Sequence, residues 1–264
     1  MAQIHVIGGA GERLEIPAIR KIGIGDLADA LAKGWDDFSA MPSHAIFLCL
    51  IYPLVGLFLI GLTFGYSVLP LLFPLAAGFA LIGPVAAVGL YELSRRRESG
   101  LDSHWTHAFD VLRSPSFPAI AALGLLLMGI FIAWLGSAQA IYQSLFGYLP
   151  PESYSQFIRE VFTTPAGRSL ILWGNLIGFG FAVWALVISV VSFPLLVDRD
   201  VGAAVAISTS VRAVMANPFT MAVWGLIVAT LLVVGSLPAF MGLAVVMPVL
   251  GHATWHLYRK VVAH

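Results

Sequence analysis

Charge is what this sequence lacks. Four long stretches contain no Asp, Glu, Lys or Arg: those between Asp37 and Glu92, Arg113 and Glu152, Arg168 and Asp198, and Arg212 and Arg259. Together they take up more than half of the 264 residues. A soluble domain needs charge across its surface. A lipid-facing segment must exclude it, because Asp, Lys or Arg at mid-membrane costs about 2.5–3.5 kcal/mol on insertion scales. The charged share of 11% is under half of the roughly 25% usual in soluble domains. Cysteine is nearly absent too. Cys49 stands alone in an apolar run, which excludes an intrachain disulfide and argues against a reactive thiol. The net formal charge is zero, so no nucleic-acid partner is expected. The opening MAQIHVIGGAGERLEIPAIRK is polar and Gly-rich, so no signal peptide is expected.

Catalytic motifs are missing as well. There is no HExxH and no Walker loop, and no nucleophile stands beside a base. Gly8-Gly9-Ala10-Gly11 lacks the strand-to-helix setting of a nucleotide fingerprint. Catalysis is unsupported by any pattern in the chain.

What is present is apolar length. A spanning helix needs about 20 apolar residues. The first stretch fits two, His44–Phe64 and Leu69–Leu93, hinged at Gly65-Tyr66-Ser67. The second fits Phe117–Gly136 and the third Leu170–Val197. The fourth fits Phe219–Gly235 and Leu237–Tyr258, parted by a Ser236-Leu237-Pro238 turn. The runs are continuous and lack the alternation of barrel strands. The predicted fold is therefore all-α: a polytopic helical bundle of six spans, a single membrane domain over residues 26–264 after an N-terminal segment 1–25. Six spans place both termini on one side. That side holds all but two, Arg159 and Arg168, of the 14 Lys and Arg residues. The bias predicts cytoplasmic termini in a bacterial inner membrane.

Each pair of spans follows a short amphipathic segment that ends at a proline: Ala30–His44, Ser103–Phe117 and Ser208–Thr220. Aligning Pro42, Pro115 and Pro218 superposes Trp35, Ala108 and Val211, then Phe38, Val111 and Val214. Three repeats are expected, over about 26–97, 98–200 and 201–264. The segment 137–168 has no counterpart in the other copies. Its Tyr142, Phe146, Tyr148, Tyr154 and Phe157 suit a periplasmic aromatic belt, or alternatively a docking surface.

His252 and His256 in GHATWHLYRK are spaced i, i+4, on one helix face. Such a pair can share a metal or ligate haem, but it lacks the further ligand that completes a site. Set among Trp255, Tyr258 and Arg259, it also fits an interfacial anchor. Trp35, Phe38 and Trp105 are the matching interfacial candidates in the amphipathic segments, with Trp35 and Phe38 facing the membrane. A second prolyl register, Pro84, Pro194 and Pro248, brings Glu92, Asp198, His252 and His256 towards one another as a candidate polar cluster able to hold a proton or cation. His104 and His107 read as headgroup-level residues, and Asn175 as interhelical glue beside Gly178 and Gly180.

The stretches IRKIGIGDLADALAKGWDDFSAMPSHAIFLCLIYPLVGLFL and PVLGHATWHLYRK resemble an uncharacterised family of bacterial integral membrane proteins, a domain of unknown function common in proteobacteria. The resemblance covers nearly the whole chain. Gly34-Trp35-Asp36-Asp37-Phe38 and Gly251-His252 through Tyr258-Arg259 carry it most specifically. It implies a six-helix inner-membrane protein and supplies no reaction or catalytic residue. Some members are loosely labelled as oxidase subunits, a hint of respiratory association only, since the many membrane histidines of a haem–copper catalytic subunit are missing here.

Three readings of function follow. The first is a non-catalytic accessory or scaffold subunit of an inner-membrane complex, a respiratory one among the candidates, with membrane lipids and other inner-membrane subunits as partners and no cofactor. The second is a small transporter or a protein binding lipid or another hydrophobic ligand. The third is a haem- or metal-binding assembly factor using His252 and His256.

Overall fold

The computed structural model describes residues 17–41, 69–149, 151–238 and 240–263. They form helices α1 Ile24–Ala40, α2 Leu72–Phe79, α3 Gly83–Ala86, α4 Val88–Glu98, α5 Phe117–Phe146, α6 Tyr154–Thr163, α7 Pro165–Ser189, α8 Ser192–Asp198, α9 Gly202–Ala216, α10 Pro218–Ser236 and α11 Leu243–Val261. Short 3-10 turns flank α2, and a longer 3-10 stretch covers Trp105–Arg113. Among the described residues extended pairing is limited to one antiparallel bridge, Ile19 with Val262.

Four stretches are long and apolar enough to cross a membrane: Leu69–Glu98, Phe117–Phe146, Pro165–Asp198 and Pro218–Ser236. They coincide with the second to fifth predicted spans. The first, His44–Phe64, lies outside the described residues. The sixth forms α11, which begins later, at Leu243. It is not among the four, because its second half is polar and turns His252, Trp255 and Tyr258 into protein rather than lipid. The three pre-span segments are helical, α1 and α9 as α-helix and the middle one as 3-10 helix.

Proline sets the breaks. In Leu69–Glu98, Pro70, Pro74 and Pro84 each lack an N–H, and the helix passes through 3-10 turns at Leu69–Leu71 and Ala80–Ile82. In Pro165–Asp198 the break falls between Ser189 and Ser192, ahead of Pro194. A neighbouring helix repairs it. Ser210 Oγ on α9 accepts the Val191 N–H at 3.2 Å and donates to the Val187 carbonyl at 2.8 Å. Broken helices persist at membrane depth only where such groups are satisfied again.

The chain divides into two compact units. One comprises described residues 17–41, 83–125 and 186–263. Its core includes Leu27, Leu90, Leu93, Phe193, Leu195, Leu196, Trp255 and Tyr258, all at 2% exposure or less. α1 lies along α11 so closely that a Cβ on Gly34 would sit 2.6 Å from the Ala253 nitrogen, and α11 lies so close to α4 that one on Gly251 would sit 2.7 Å from Leu90 Cδ1. Small residues permit this backbone approach. The Arg20 N–H donates to the Val261 carbonyl at 2.8 Å and the Ala263 N–H to the Ala18 carbonyl at 2.9 Å. Asn217 holds the same strand-like segment, accepting the Ile22 N–H at 3.0 Å and donating to the Arg20 carbonyl at 3.1 Å.

The second unit comprises described residues 69–82 and 126–185. It is organised around Trp134, which is 3% exposed and whose indole N–H donates to the Pro74 carbonyl at 2.9 Å. Gly78 and Gly178 make room for the ring, since a Cβ on either would lie within 3 Å of it. Among the described residues Asn175 bonds within its own helix. Its amide donates to the Ile171 carbonyl at 2.7 Å, on an exposed face. The expected aromatic belt is also arranged differently. Tyr142 is buried, stacked on Phe146 at 5.2 Å and edge-on to Phe157 at 6.1 Å, because these rings pack the α5–α6 corner against one another. Tyr148 alone of the five is strongly exposed, at 84%.

Candidate functional site

The densest buried polar cluster in the first unit centres on Asp37. Along α1 the buried positions are Leu27, Ala30, Gly34, Asp37 and Phe38, a spacing of three and four that marks one helix face. Asp37 thus lies on the face that Gly34 presses onto α11. There His256 Nε2 stands 2.8 Å from Asp37 Oδ2, and His252 Nδ1 stands 3.9 Å from the same oxygen. From α4, Ser94 Oγ donates to Asp37 Oδ2 at 2.6 Å and contacts His252 Nδ1 at 2.7 Å. Arg97 closes the ring, its guanidinium donating to Asp37 Oδ1.

Proton positions follow from donor counting. An ionised carboxylate only accepts, so the Ser94 proton points at Asp37 and His252 Nδ1 must carry a proton for Ser94 Oγ. The other ring nitrogen, Nε2, is then a bare acceptor, buried and without a hydrogen-bond partner among the described residues. Burial alone pushes the Asp37 carboxyl up. The hydrogen bonds from His256 and Ser94, the neighbouring His252 and the Arg97 guanidinium outweigh it, and the carboxyl is lowered from 3.8 to about 2. Asp37 is therefore a permanent anion at any physiological pH.

The four residues expected in one polar cluster do not share a partner: the histidines part from the two carboxylates. His252 and His256 both turn to Asp37. Glu92 instead takes Arg95, one turn along its own helix, through two bonds of 2.7 Å. Asp198 accepts the Tyr258 hydroxyl at 2.6 Å and lies 3.8 Å from Arg259. The reason is that α1 supplies the counter-charge for both imidazoles, leaving each other carboxylate to its nearest donor. Asp37, Ser94 and Arg97 were not among the expected site residues, although the spacing from Leu27, Ala30 and Gly34 marks Asp37, and not Asp36, as the inward Asp.

The interfacial candidates divide similarly. Trp35 is 52% exposed and Trp105 is half-buried against Phe109, with ring centroids 6.2 Å apart. Phe38 faces protein rather than lipid. Trp255 and Tyr258 are fully buried, because Glu98 accepts the Trp255 N–H at 3.0 Å and Asp198 accepts the Tyr258 hydroxyl inside the fold. His107 joins a surface group, reaching Asp110 at 2.6 Å and Asp102 at 3.2 Å. Among the described residues, no three His, Cys, Asp or Glu side chains are arranged to hold a metal ion.

Three of the four apolar spans fall within a match to a known family. Residues 72–198 match the model of DUF2189, described as a predicted integral membrane protein. That match covers just under half of the chain. This is an integral membrane protein, and the family carries no assigned function. No curated protein and no solved structure matches the chain. The DUF2189 match runs from α2 through α8, so it takes in Ser94 and Arg97 but neither Asp37 nor the two histidines. It is narrower than the resemblance read from the sequence, whose most specific motifs lie on either side of it.

Proposed function

We propose that this chain is a non-catalytic accessory or scaffold subunit of a larger assembly in a bacterial inner membrane. The observation that carries the reading is the state of Asp37. A general acid or base works best with a pKa near the operating pH, whereas this carboxyl sits near 2. Its oxygens already take Ser94, His256 and Arg97. Such an anion clamps three helices together and is suited to holding a shape. The wide apolar faces of α5, α7 and α10, with Ile132, Leu172, Phe179 and Leu226 all above 60% exposure, offer surface to lipid and to neighbouring subunits. Residues 18–20 pair with 261–263, which supports placing the two ends on one face, and the Lys and Arg bias makes that face cytoplasmic.

The test is mass spectrometry of the protein released gently from its native membrane at native abundance. A stoichiometric set of membrane subunits is the expected result, and their identity names the pathway. Release of the chain alone with a retained lipid or quinone overturns the scaffold reading in favour of a hydrophobic-ligand binder. Release with a haem absorption band overturns it in favour of a cofactor role for His252 and His256.

A further inference from the structure

Helix α6 presents an apolar face whose outer side chains are left exposed by the described residues. Its ten residues place Tyr154, Phe157, Ile158, Val161 and Phe162 on one arc and Ser155, Gln156, Arg159, Glu160 and Thr163 on the other. None of them is buried. Phe157 leans on the Tyr142 ring, but Ile158 is 55% and Phe162 70% exposed. Just before the helix, Tyr148 and Leu149 stand out at 84% and 81%.

Its position along the chain says what lies against that face. α6 sits between the ends of two membrane spans, α5 and α7, and only Thr164 separates it from α7. The corner is built rather than slack. Ser153 caps the helix by accepting the Gln156 N–H at 3.2 Å. Thr164 Oγ1 donates to the Glu160 carbonyl at 2.7 Å and accepts the Gly167 N–H at 3.0 Å. Gly167 rests so close on the last turn of α6 that a Cβ there would fall 2.2 Å from the Val161 carbonyl oxygen. A helix pinned in this way at the mouth of two spans lies at the level where the bilayer ends. Arg159 and Arg168 are exposed beside it and form no ion pair among the described residues.

We propose that α6 is a membrane-surface helix lying in the lipid headgroup layer, with Ile158 and Phe162 dipped into the acyl boundary and Arg159 and Arg168 on lipid phosphates. An amphipathic helix with basic residues at the polar edge and large apolar side chains opposite takes this position in a bilayer. The long arginine stems reach back to the phosphates while the head stays solvated.

The experiment is site-directed spin labelling of the full chain in a Cys49→Ser background, reconstituted in vesicles of phosphatidylethanolamine and phosphatidylglycerol. Single variants Ile158→Cys, Phe162→Cys, Ser155→Cys and Arg159→Cys are labelled, and collision with oxygen and with a water-soluble nickel chelate is measured. Several-fold higher oxygen-to-nickel ratios at 158 and 162 than at 155 and 159 are expected. Equal, high nickel access at all four overturns the proposal, because the helix then faces water. Low access to both reagents at 158 and 162 also overturns it, because protein then covers the face. All four side chains are exposed, and far-UV circular dichroism matching the unlabelled chain confirms that each variant is read in its folded state.

Discussion

Replacing Asp37 removes the anion on which α1, α4 and α11 converge. In Asp37→Ala, Ser94 and His256 lose their acceptor, and the fully buried His252 loses the charge that faces it. Each orphaned buried polar group costs about 1–3 kcal/mol. Breaking a buried, hydrogen-bonded charge pair from one side costs about 3–5 kcal/mol in total. Arg97 adds little, since its side chain is 40% exposed and can turn to water. The expected loss for Asp37→Ala is therefore about 3–5 kcal/mol. Asp37→Asn keeps the volume but accepts through one oxygen only, and about 2 kcal/mol is expected. The assay is SDS titration in mixed micelles at neutral pH, followed by far-UV circular dichroism. A cycle with His256→Ala should give a coupling of about 1.5–3 kcal/mol, the range for a hydrogen bond to a charged group. A loss for Asp37→Ala within about 0.5 kcal/mol of zero, typical of surface substitutions, would refute the clamp.

Acid should act through the same group. The folded carboxyl titrates near 2 against 3.8 when free, so its contribution is complete above pH 3.8 and disappears as the pH falls towards 2. Wild-type stability should drop by about 2 kcal/mol more than that of Asp37→Asn across this window, and parallel curves count against the assignment. Gly34→Val should destabilise by about 1–3 kcal/mol or more in the same titration, because its Cβ meets the Ala253 backbone at 2.6 Å. Gly129→Ala meets nothing within 4 Å and should stabilise α5 by about 0.5–1 kcal/mol. Ser210→Ala leaves the Val191 N–H and the Val187 carbonyl unserved at the helix break and should cost about 1–3 kcal/mol. An unchanged denaturation midpoint there means the break is repaired by other groups.

The spans were legible because lipid imposes one rule, the exclusion of charge, along a continuous stretch of sequence. Helix ends were legible where proline or a polar turn stood, as at Pro115 and Pro218. The cluster was not, because its members come from three distant segments. Residues 37 and 256 lie 219 positions apart, and no periodicity relates them. Only the helical spacing from Gly34 separates inward Asp37 from outward Asp36. Internal repetition proved a poor guide to side-chain partners. It put Glu92 and Asp198 near the histidines, whereas Arg95, three residues on, takes the first and Tyr258, from α11, the second. Trp255 and Tyr258 read as interfacial because aromatic residues with arginine suit a membrane surface. Burial also suits them once Glu98 and Asp198 accept their polar hydrogens.

The seam between α1 and α11 has a consequence for biosynthesis. α1 leaves the ribosome early, carrying a carboxylate on its apolar face, and the imidazole that engages it is made 219 residues later. Loop closure over that distance is slow, and until it occurs Gly34 and Asp37 remain an open, half-polar groove. A chain cut short before Ala253 can insert its spans but cannot shut that groove. The seam thus distinguishes finished copies from unfinished ones.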